Sequence, residues 1–114
     1  MERLKYIPER GDLVGFNLNP TRGHEQKGYR PNIVITNKKF NRIHNRMIVC
    51  PITLTVRNHP LEVKINTLKV KGVILPDQIR NADWTVRKFK FLGRASSETL
   101  REVCYKLELL IRGA

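Results

Sequence analysis

The chain has 114 residues and a formal charge of +12 at pH 7, from 22 lysines and arginines against 10 acidic residues. This length fits one domain, so we expect residues 1–114 to form a single domain with a modest core. The charge implies an anionic partner, such as nucleic acid, an acidic protein segment or a membrane surface. A basic surface kept only for solubility is the alternative.

The positive charge is concentrated in one part of the chain. Between Gln26 and Leu61 there is no aspartate or glutamate. The basic residues of this window are Lys27, Arg30, Lys38, Lys39, Arg42, Arg46 and Arg57, with His44 and His59. A one-signed block of this length favours a binding surface over a merely solubilising one.

Several classes of protein are disfavoured. Residues 1–5 have no apolar run behind them, so we expect no signal peptide, and no segment is long enough to span a bilayer. Cys50 and Cys104 lie far apart in apolar segments, and we predict both to be reduced core residues of a cytoplasmic protein. The histidines show no metal-site spacing with either cysteine, so we expect neither a metal nor a cofactor.

The apolar pattern predicts a mainly β protein, because short runs alternate between apolar and polar residues or are apolar throughout. Six segments are predicted to be strands or extended: residues 12–18, 32–36, 47–52, 61–65, 72–75 and 84–94. Residues 12–18 are expected to be a half-buried strand. Three segments are predicted to be loops: residues 19–30, 37–45 and 53–60.

The last segment predicts a helix. Ser96 can cap it, Glu98 suits the dipole of its first turn, and apolar residues recur at helical spacing until Gly113. Short strands followed by one helix indicate a small, strongly bent antiparallel barrel with a helix packed on it.

Motifs in the first half of the chain begin with Gly11-Asp12-Leu13, Asn19-Pro20-Thr21-Arg22-Gly23, Glu25-Gln26 and Gly28-Tyr29-Arg30-Pro31. They continue with Cys50-Pro51-Ile52-Thr53, Gly72-Val73-Ile74-Leu75, Asp77-Gln78 and Trp84. This series covers almost the whole chain and resembles the MazF/PemK family of toxin endoribonucleases. The resemblance implies the small SH3-like barrel of the CcdB and MazF toxins.

The resemblance also implies an activity. It implies a metal-independent cut of single-stranded mRNA at a short sequence, which leaves 2′,3′-cyclic phosphate and 5′-OH ends. In this family Arg30 would stabilise transition-state charge or donate a proton, Thr53 would be its catalytic partner, and Glu25 would be linked to activity. A homodimer and an antitoxin whose acidic segment blocks the site are implied as well. The chain departs from some members at His24 and Tyr29.

The residue types fit that chemistry. RNA supplies its own nucleophile, the 2′-OH, so a carboxylate, an arginine and a hydroxyl suffice without metal. Glu25, Arg30 and Thr53 are these three groups, and Arg30 and Thr53 stand at the ends of strands predicted to be central. The alternatives are an Arg30 that only pairs with Glu25 and a Thr53 that only forms a turn.

The surrounding polar residues are predicted to bind RNA: His24, Lys27, Lys38, Lys39, Arg42, Arg57, His59, Asp77 and Gln78. For Asp77 and Gln78 it is the resemblance that implies a place near the active cleft, and the alternative is that this pair only ends a strand. Phosphates bind the cations of residues 37–46, whereas Phe40 is expected to be buried rather than to stack on a base. Trp84 is expected in the core or in an interface.

Other functions remain open. The same barrel could be a non-catalytic nucleic-acid-binding module, or a toxin that poisons a DNA topoisomerase, as a fold relative does. A structural ribosome-associated protein is a weaker alternative. A pure binder has no need for the set Glu25, Arg30 and Thr53.

Overall fold

The computed structural model describes residues 6–113, so the expectations for residues 1–5 and Ala114 lie outside the described residues. The strands are β1 Asp12–Asn17, β2 Tyr29–Val34, β3 Met47–Thr53, β4 Val63–Asn66, β5 Lys71–Ile74, β6 Arg80–Ala82 and β7 Lys90–Arg94. The helices are α1 Lys38–His44, α2 Ser97–Arg112 and the short 3₁₀ helix Pro76–Gln78. A mainly β chain with a C-terminal helix is therefore confirmed.

The strands form one antiparallel sheet in the order β4-β5-β3-β2-β1-β7, and β6 also pairs with β3. Strand β3 changes partner along its length: its Met47 end pairs with β6, its middle with β2 and its Thr53 end with β5. Because one strand serves three neighbours, the sheet bends into the small barrel that the sequence predicts.

Two apolar clusters fill the two faces of this sheet. Helix α2 packs Val103 and Leu107 on one face, against residues such as Leu13 and Ile33. The second cluster includes Phe16 and Val49, together with Trp84, which is 8% exposed. The core position expected for Trp84 is confirmed, and its indole Nε1 donates to the Asn41 carbonyl at 2.8 Å.

Helix α2 begins and ends where the sequence predicts. The Ser96 hydroxyl oxygen accepts from the Thr99 amide at 3.1 Å, which satisfies a free donor of the first turn. Gly113 adopts a left-handed conformation with φ 70° and its amide donates to the Leu109 carbonyl at 2.9 Å.

The expectation of a loop over residues 37–45 is wrong, because α1 lies there. The Asn37 carboxamide oxygen caps the helix by accepting from the Phe40 amide at 2.9 Å. The buried residue of α1 is polar: Asn41 is 0% exposed and its Nδ2 donates to the Pro8 carbonyl at 2.8 Å. The sequence of this segment therefore lacks the buried apolar residues at helical spacing that would have indicated a helix. Phe40 is half-buried and packs against His44, with ring centroids 4.5 Å apart and ring planes tilted by 39°.

Several strand boundaries also differ from expectation. Strand β1 is buried on both faces rather than half-buried, because Leu13 packs in one apolar cluster and Val14 and Phe16 pack in the other. Strand β2 begins at Tyr29, so Arg30 belongs to the sheet. Strand β6 was not predicted, and only the last part of residues 84–94 is a strand, since a turn at Asp83–Arg87 precedes it.

The two cysteines are both free, but only one is a core residue. Cys50 is fully buried, whereas Cys104 is half-buried on α2. Burial, with smaller contributions from the charges of Cys104 and Asp77, raises the pKa of the Cys50 thiol to about 12. Within residues 6–113, no helix has the length and apolarity needed to cross a membrane.

Candidate functional site

Arg30 and Thr53 lie at the same end of neighbouring strands. The antiparallel pair Asn32–Pro51 sets the register of β2 and β3. Arg30 and Thr53 each lie two residues beyond this pair, where Arg30 pairs with Phe16 of β1 and Thr53 pairs with Val73 of β5. They line one cleft of about 320 Å³. The structure thus brings together two of the residues predicted to be catalytic.

Four residues predicted to bind RNA line the same cleft. Arg57 and His59 come from the segment that follows β3, and Asp77 and Gln78 come from the 3₁₀ helix. The cleft therefore has cationic, hydroxyl and carboxylate groups within one small volume.

The Arg30 guanidinium is not neutralised by a protein carboxylate in the described part of the chain. Its Nε is buried without a hydrogen-bond partner there, and no ion pair joins it to Glu25. The simple surface pair of Arg30 with Glu25 is therefore not what the structure contains. An unpaired guanidinium at a cleft is available for an anionic group of a ligand.

The Thr53 hydroxyl is held in place by the chain that follows it. Thr53 is 7% exposed, and its Oγ1 accepts from the Thr55 amide at 3.2 Å. A hydroxyl that accepts one hydrogen bond still has its own hydrogen to donate. Thr53 is therefore a fixed hydroxyl group in the lining of the cleft, with a hydrogen available for a ligand.

Glu25 and His24 line an adjoining groove, also of about 320 Å³, rather than the cleft of Arg30. The Glu25 Oε1 accepts from the Arg22 amide at 2.8 Å, which closes its own loop. The Gln26 amide donates to Gln78 Oε1 at 2.7 Å, and this contact forms part of the wall shared by the two hollows.

The remaining predicted residues lie elsewhere. Lys27 is exposed and lines neither hollow. Lys38, Lys39 and Arg42 lie on α1, which joins the Val34 end of β2 to the Met47 end of β3. That is the end of the sheet opposite Arg30 and Thr53. RNA binding by these four residues stays a prediction.

Sequence reasoning missed Glu62 and Arg80. Glu62 lines the cleft of Arg30, and Arg80 lines the adjoining groove. Glu62 is the first acidic residue after the basic block, and this position in the sequence could have indicated that it lies near the predicted site. Arg80 lies two residues after the Asp77-Gln78 motif, and this proximity could have extended the predicted site to it.

The arrangement defines a class of site. Arg30 and Arg57 are suited to phosphate oxygens, Thr53 donates a hydrogen bond, and Glu62 and Asp77 can accept protons. Residues 6–113 contain no group of three histidine, cysteine or acidic side chains able to hold a metal ion. The molecule is a small β-barrel protein with a cleft suited to the phosphodiester of a nucleic acid.

Comparison with known proteins identifies the family. The sequence model of the PemK-like, MazF-like toxins of type II toxin–antitoxin systems matches residues 9–111. The chain is 31% identical to the endoribonuclease toxin MazF of Escherichia coli K12 over 107 residues, covering 94% of this chain and 96% of the relative. It is 32% identical to the endoribonuclease PemK of Escherichia coli, covering 96% and 86%. The chain belongs to the PemK-like, MazF-like toxin family, as the resemblance predicted.

Solved structures agree with this assignment. The crystal structure of MazF from Deinococcus radiodurans superimposes with a TM-score of 0.89 at 37% identity, covering 95% of this chain and 99% of that one. A MazE–MazF structure from the same organism gives a TM-score of 0.84 at 37% identity, covering 96% and 100%.

Proposed function

We propose that this chain is the toxin of a type II toxin–antitoxin pair and acts as a metal-independent endoribonuclease on single-stranded mRNA. The observation that carries the proposal is one cleft lined both by Arg30, which forms no ion pair within the described residues, and by Thr53, whose Oγ1 accepts from the Thr55 amide. The curated relatives, which are named endoribonucleases, support the same activity.

The proposed reaction is attack by the ribose 2′ oxygen on the neighbouring phosphorus. A bond from O2′ to phosphorus forms and the bond from phosphorus to O5′ breaks, which leaves a 2′,3′-cyclic phosphate and a 5′-OH. The proton of the 2′-OH is lost and O5′ gains one, so the reaction consumes no co-reactant. Arg30 and Thr53 stabilise the negative charge on the non-bridging oxygens in the transition state. Glu25 is the third proposed catalytic residue, and would act from the adjoining groove.

The proposed partners follow from charge and from the relatives. An antitoxin with an acidic segment is complementary in charge to a chain of formal charge +12. The similar MazE–MazF structure from Deinococcus radiodurans supports such a pairing. We also propose a cytoplasmic homodimer that binds RNA across its subunit interface.

Incubation of the purified protein with mixed-sequence RNA in EDTA, followed by mapping of the RNA ends, tests the proposal. We expect cuts at one short sequence, with a 2′,3′-cyclic phosphate on one side and a 5′-OH on the other. A requirement for Mg²⁺ would reject the metal-independent scheme. RNA that is bound but stays intact at high protein concentration would indicate a non-catalytic binder instead.

A further inference from the structure

The segment 57–62, which forms one wall of the cleft, is closed on itself by hydrogen bonds. The Glu62 carboxylate oxygens accept from the Arg57 amide at 3.3 and 3.1 Å. The Glu62 amide in turn donates to the His59 carbonyl at 3.0 Å. Asn58 takes the left-handed conformation, with φ 56°, at the turn between them. The side chain of Glu62 is therefore one of the groups that fix the shape of this loop.

The ring of His59 is fixed by the same loop. The Leu61 amide donates to His59 Nδ1 at 3.1 Å. A backbone N–H can only donate, so Nδ1 accepts and carries no proton, and the ring proton of the neutral imidazole is on Nε2. Proton transfer at Nε2 would require a proton on Nδ1, which would break this hydrogen bond. His59 is thus arranged as a donor, not as a general acid or base.

Helix α2 holds the loop from outside. The Lys106 ammonium donates to the Pro60 carbonyl, which ties the turn to the helix that covers the core. The loop is therefore braced at Arg57, His59 and Pro60. A loop ordered before binding loses less conformational entropy when it meets its ligand.

The braced segment presents its donors to the same cleft as Arg30 and Thr53. The charged groups that line the cleft with His59 are Arg30 from β2, Asp77 from the 3₁₀ helix, and Arg57 and Glu62 from its own segment. Arg57 and His59 both offer N–H groups, and within the described residues no ion pair joins Arg30 or Arg57 to the Asp77 or Glu62 carboxylate. Both guanidiniums are therefore free to bind an anionic oxygen of a ligand.

We infer that the segment 57–62 is a pre-organised clamp for one phosphate of the RNA strand, with Glu62 as a positioning residue and His59 as a hydrogen-bond donor through Nε2. The inference rests on the proposed function, since it names the part of the RNA that this wall binds. It also assigns the only histidine of the cleft to binding rather than to proton transfer.

The test uses the full chain and a single-stranded RNA that contains the mapped cleavage sequence, with a 2′-deoxy nucleotide at the cut so that binding is measured without cleavage. Glu62→Gln keeps a carbonyl oxygen for the Arg57 amide, whereas Glu62→Ala removes it. We expect Glu62→Gln to keep Kd within about 3-fold and Glu62→Ala to raise it about 10-fold. Glu102→Gln, on the exposed side of α2, is the matched control and should bind like the wild type.

Two variants of His59 distinguish a role as hydrogen-bond donor from a role in proton transfer. His59→Gln keeps an N–H donor near the position of Nε2, whereas His59→Asn keeps an acceptor for the Leu61 amide but loses that donor. We expect Kd to rise about 3-fold for Gln and about 10-fold for Asn. On cleavable RNA, both variants should change KM rather than kcat, and the pH profile of kcat should keep the wild-type shape.

Three results would overturn the inference. Equal losses of kcat in Glu62→Gln and Glu62→Ala would mean that the carboxylate transfers a proton. A limb lost from the pH profile of either His59 variant would make His59 an acid or a base. If the wild type cuts RNA while Glu62→Ala and His59→Asn bind as tightly as it does, the clamp fails and the proposed function stands. If the wild type cuts no RNA, the proposed function fails, and the same binding comparison on mixed-sequence RNA decides the clamp.

Discussion

Gly72 lies so close to Thr53 that a Cβ added to Gly72 would stand 2.2 Å from the Thr53 carbonyl oxygen. The backbone of Gly72 has φ 135°, a conformation that L side chains rarely adopt, and its neighbour Val73 pairs with Thr53 across β5 and β3. The glycine therefore lets β5 close on the end of β3, and this contact fixes the backbone that carries the Thr53 hydroxyl.

Gly72→Ala tests this contact. We expect the free energy of unfolding to fall by about 2–3 kcal/mol, because the substitution adds backbone strain and a clash with a carbonyl that cannot move freely. RNA cleavage should fall more than the folded fraction does, since Thr53 is displaced. Gly93→Ala is the matched control, because Gly93 has φ 128° but nothing within 4 Å of its added Cβ. Equal effects of the two substitutions on cleavage would contradict the contact with Thr53.

Arg30→Ala should lower kcat for RNA cleavage by roughly 10²–10³-fold, the scale expected when one charge-stabilising donor is lost. The fold should survive, because the Arg30 Nε makes no hydrogen bond within the described residues. Cleavage kinetics and thermal unfolding check the two statements. Arg101→Ala, on the exposed side of α2, is the control. Near-wild-type turnover in Arg30→Ala would remove this residue from the mechanism.

The paired variants Glu25→Gln and Glu25→Ala measure the role of the loop carboxylate. Glu25 Oε1 accepts from the Arg22 amide and the residue lines the adjoining groove, so we expect its contact with the loop to matter most. Glu25→Gln retains an acceptor and should keep kcat within about 3-fold, whereas Glu25→Ala should raise KM about 10-fold. A loss of about 100-fold in kcat for both variants would instead indicate proton transfer by Glu25.

The elements that could be predicted from sequence are those in which one local signal dominates. Helix α2 has a capping serine, an apolar period and a terminal glycine, and all three act as predicted. Helix α1 was missed because its inward residue is Asn41, which is stabilised by hydrogen bonds rather than by apolar contact. Strand β6 is only three residues long and depends on β3 for its pairing, so its own sequence contains no signal.

In the candidate site, too, some features could be predicted from the sequence and others could not. Arg30 and Thr53 lie at the same end of β2 and β3 because three consecutive residue pairs set the register of these strands. The family motifs already indicated both residues. The hydrogen bond from the Arg57 amide to Glu62 could not be predicted, because it depends on how the intervening turn folds back. Glu25 lies in a different groove from Arg30 for a similar reason: its loop closes on Arg22.

The buried thiol of Cys50 should make stability fall at high pH. Burial raises its pKa from the ordinary value of 9.0 to about 12, so the folded chain keeps a proton that the unfolded chain loses. The protonated Cys50 thiol therefore makes its full contribution to the free energy of unfolding below pH 9. That contribution is lost as the pH rises from 9 towards 12, at about 1.4 kcal/mol per pH unit.

Urea unfolding at pH 8 and pH 10.5 measures this dependence. Cys50→Ala should show a smaller drop between the two conditions than Cys104→Ala, whose Cys50 is intact. Tyr6, whose pKa is raised by burial and by the Asp12 carboxylate, contributes to both variants alike. Equal drops in the two variants would show that the Cys50 thiol is not the cause.

The cations of α1 should matter only for long RNA. Lys38, Lys39 and Arg42 stand beyond the far end of β2, whose six residues span about 20 Å. In a variant with all three changed to glutamine, a short RNA centred on the cut should bind as in the wild type. A longer RNA should bind more weakly, with the slope of log K against log salt reduced by about 2. An unchanged slope for long RNA would exclude α1 from RNA binding.

The hydrogen bond from the Trp84 indole to the Asn41 carbonyl gives this chain a built-in optical reporter. Trp84 is its single tryptophan, so the fluorescence spectrum reports one environment without correction for others. Detachment of α1 would expose that indole to water and shift its emission to longer wavelength, while the sheet beneath stayed intact. Local opening at this end of the barrel can therefore be followed in real time, separately from global unfolding recorded by circular dichroism.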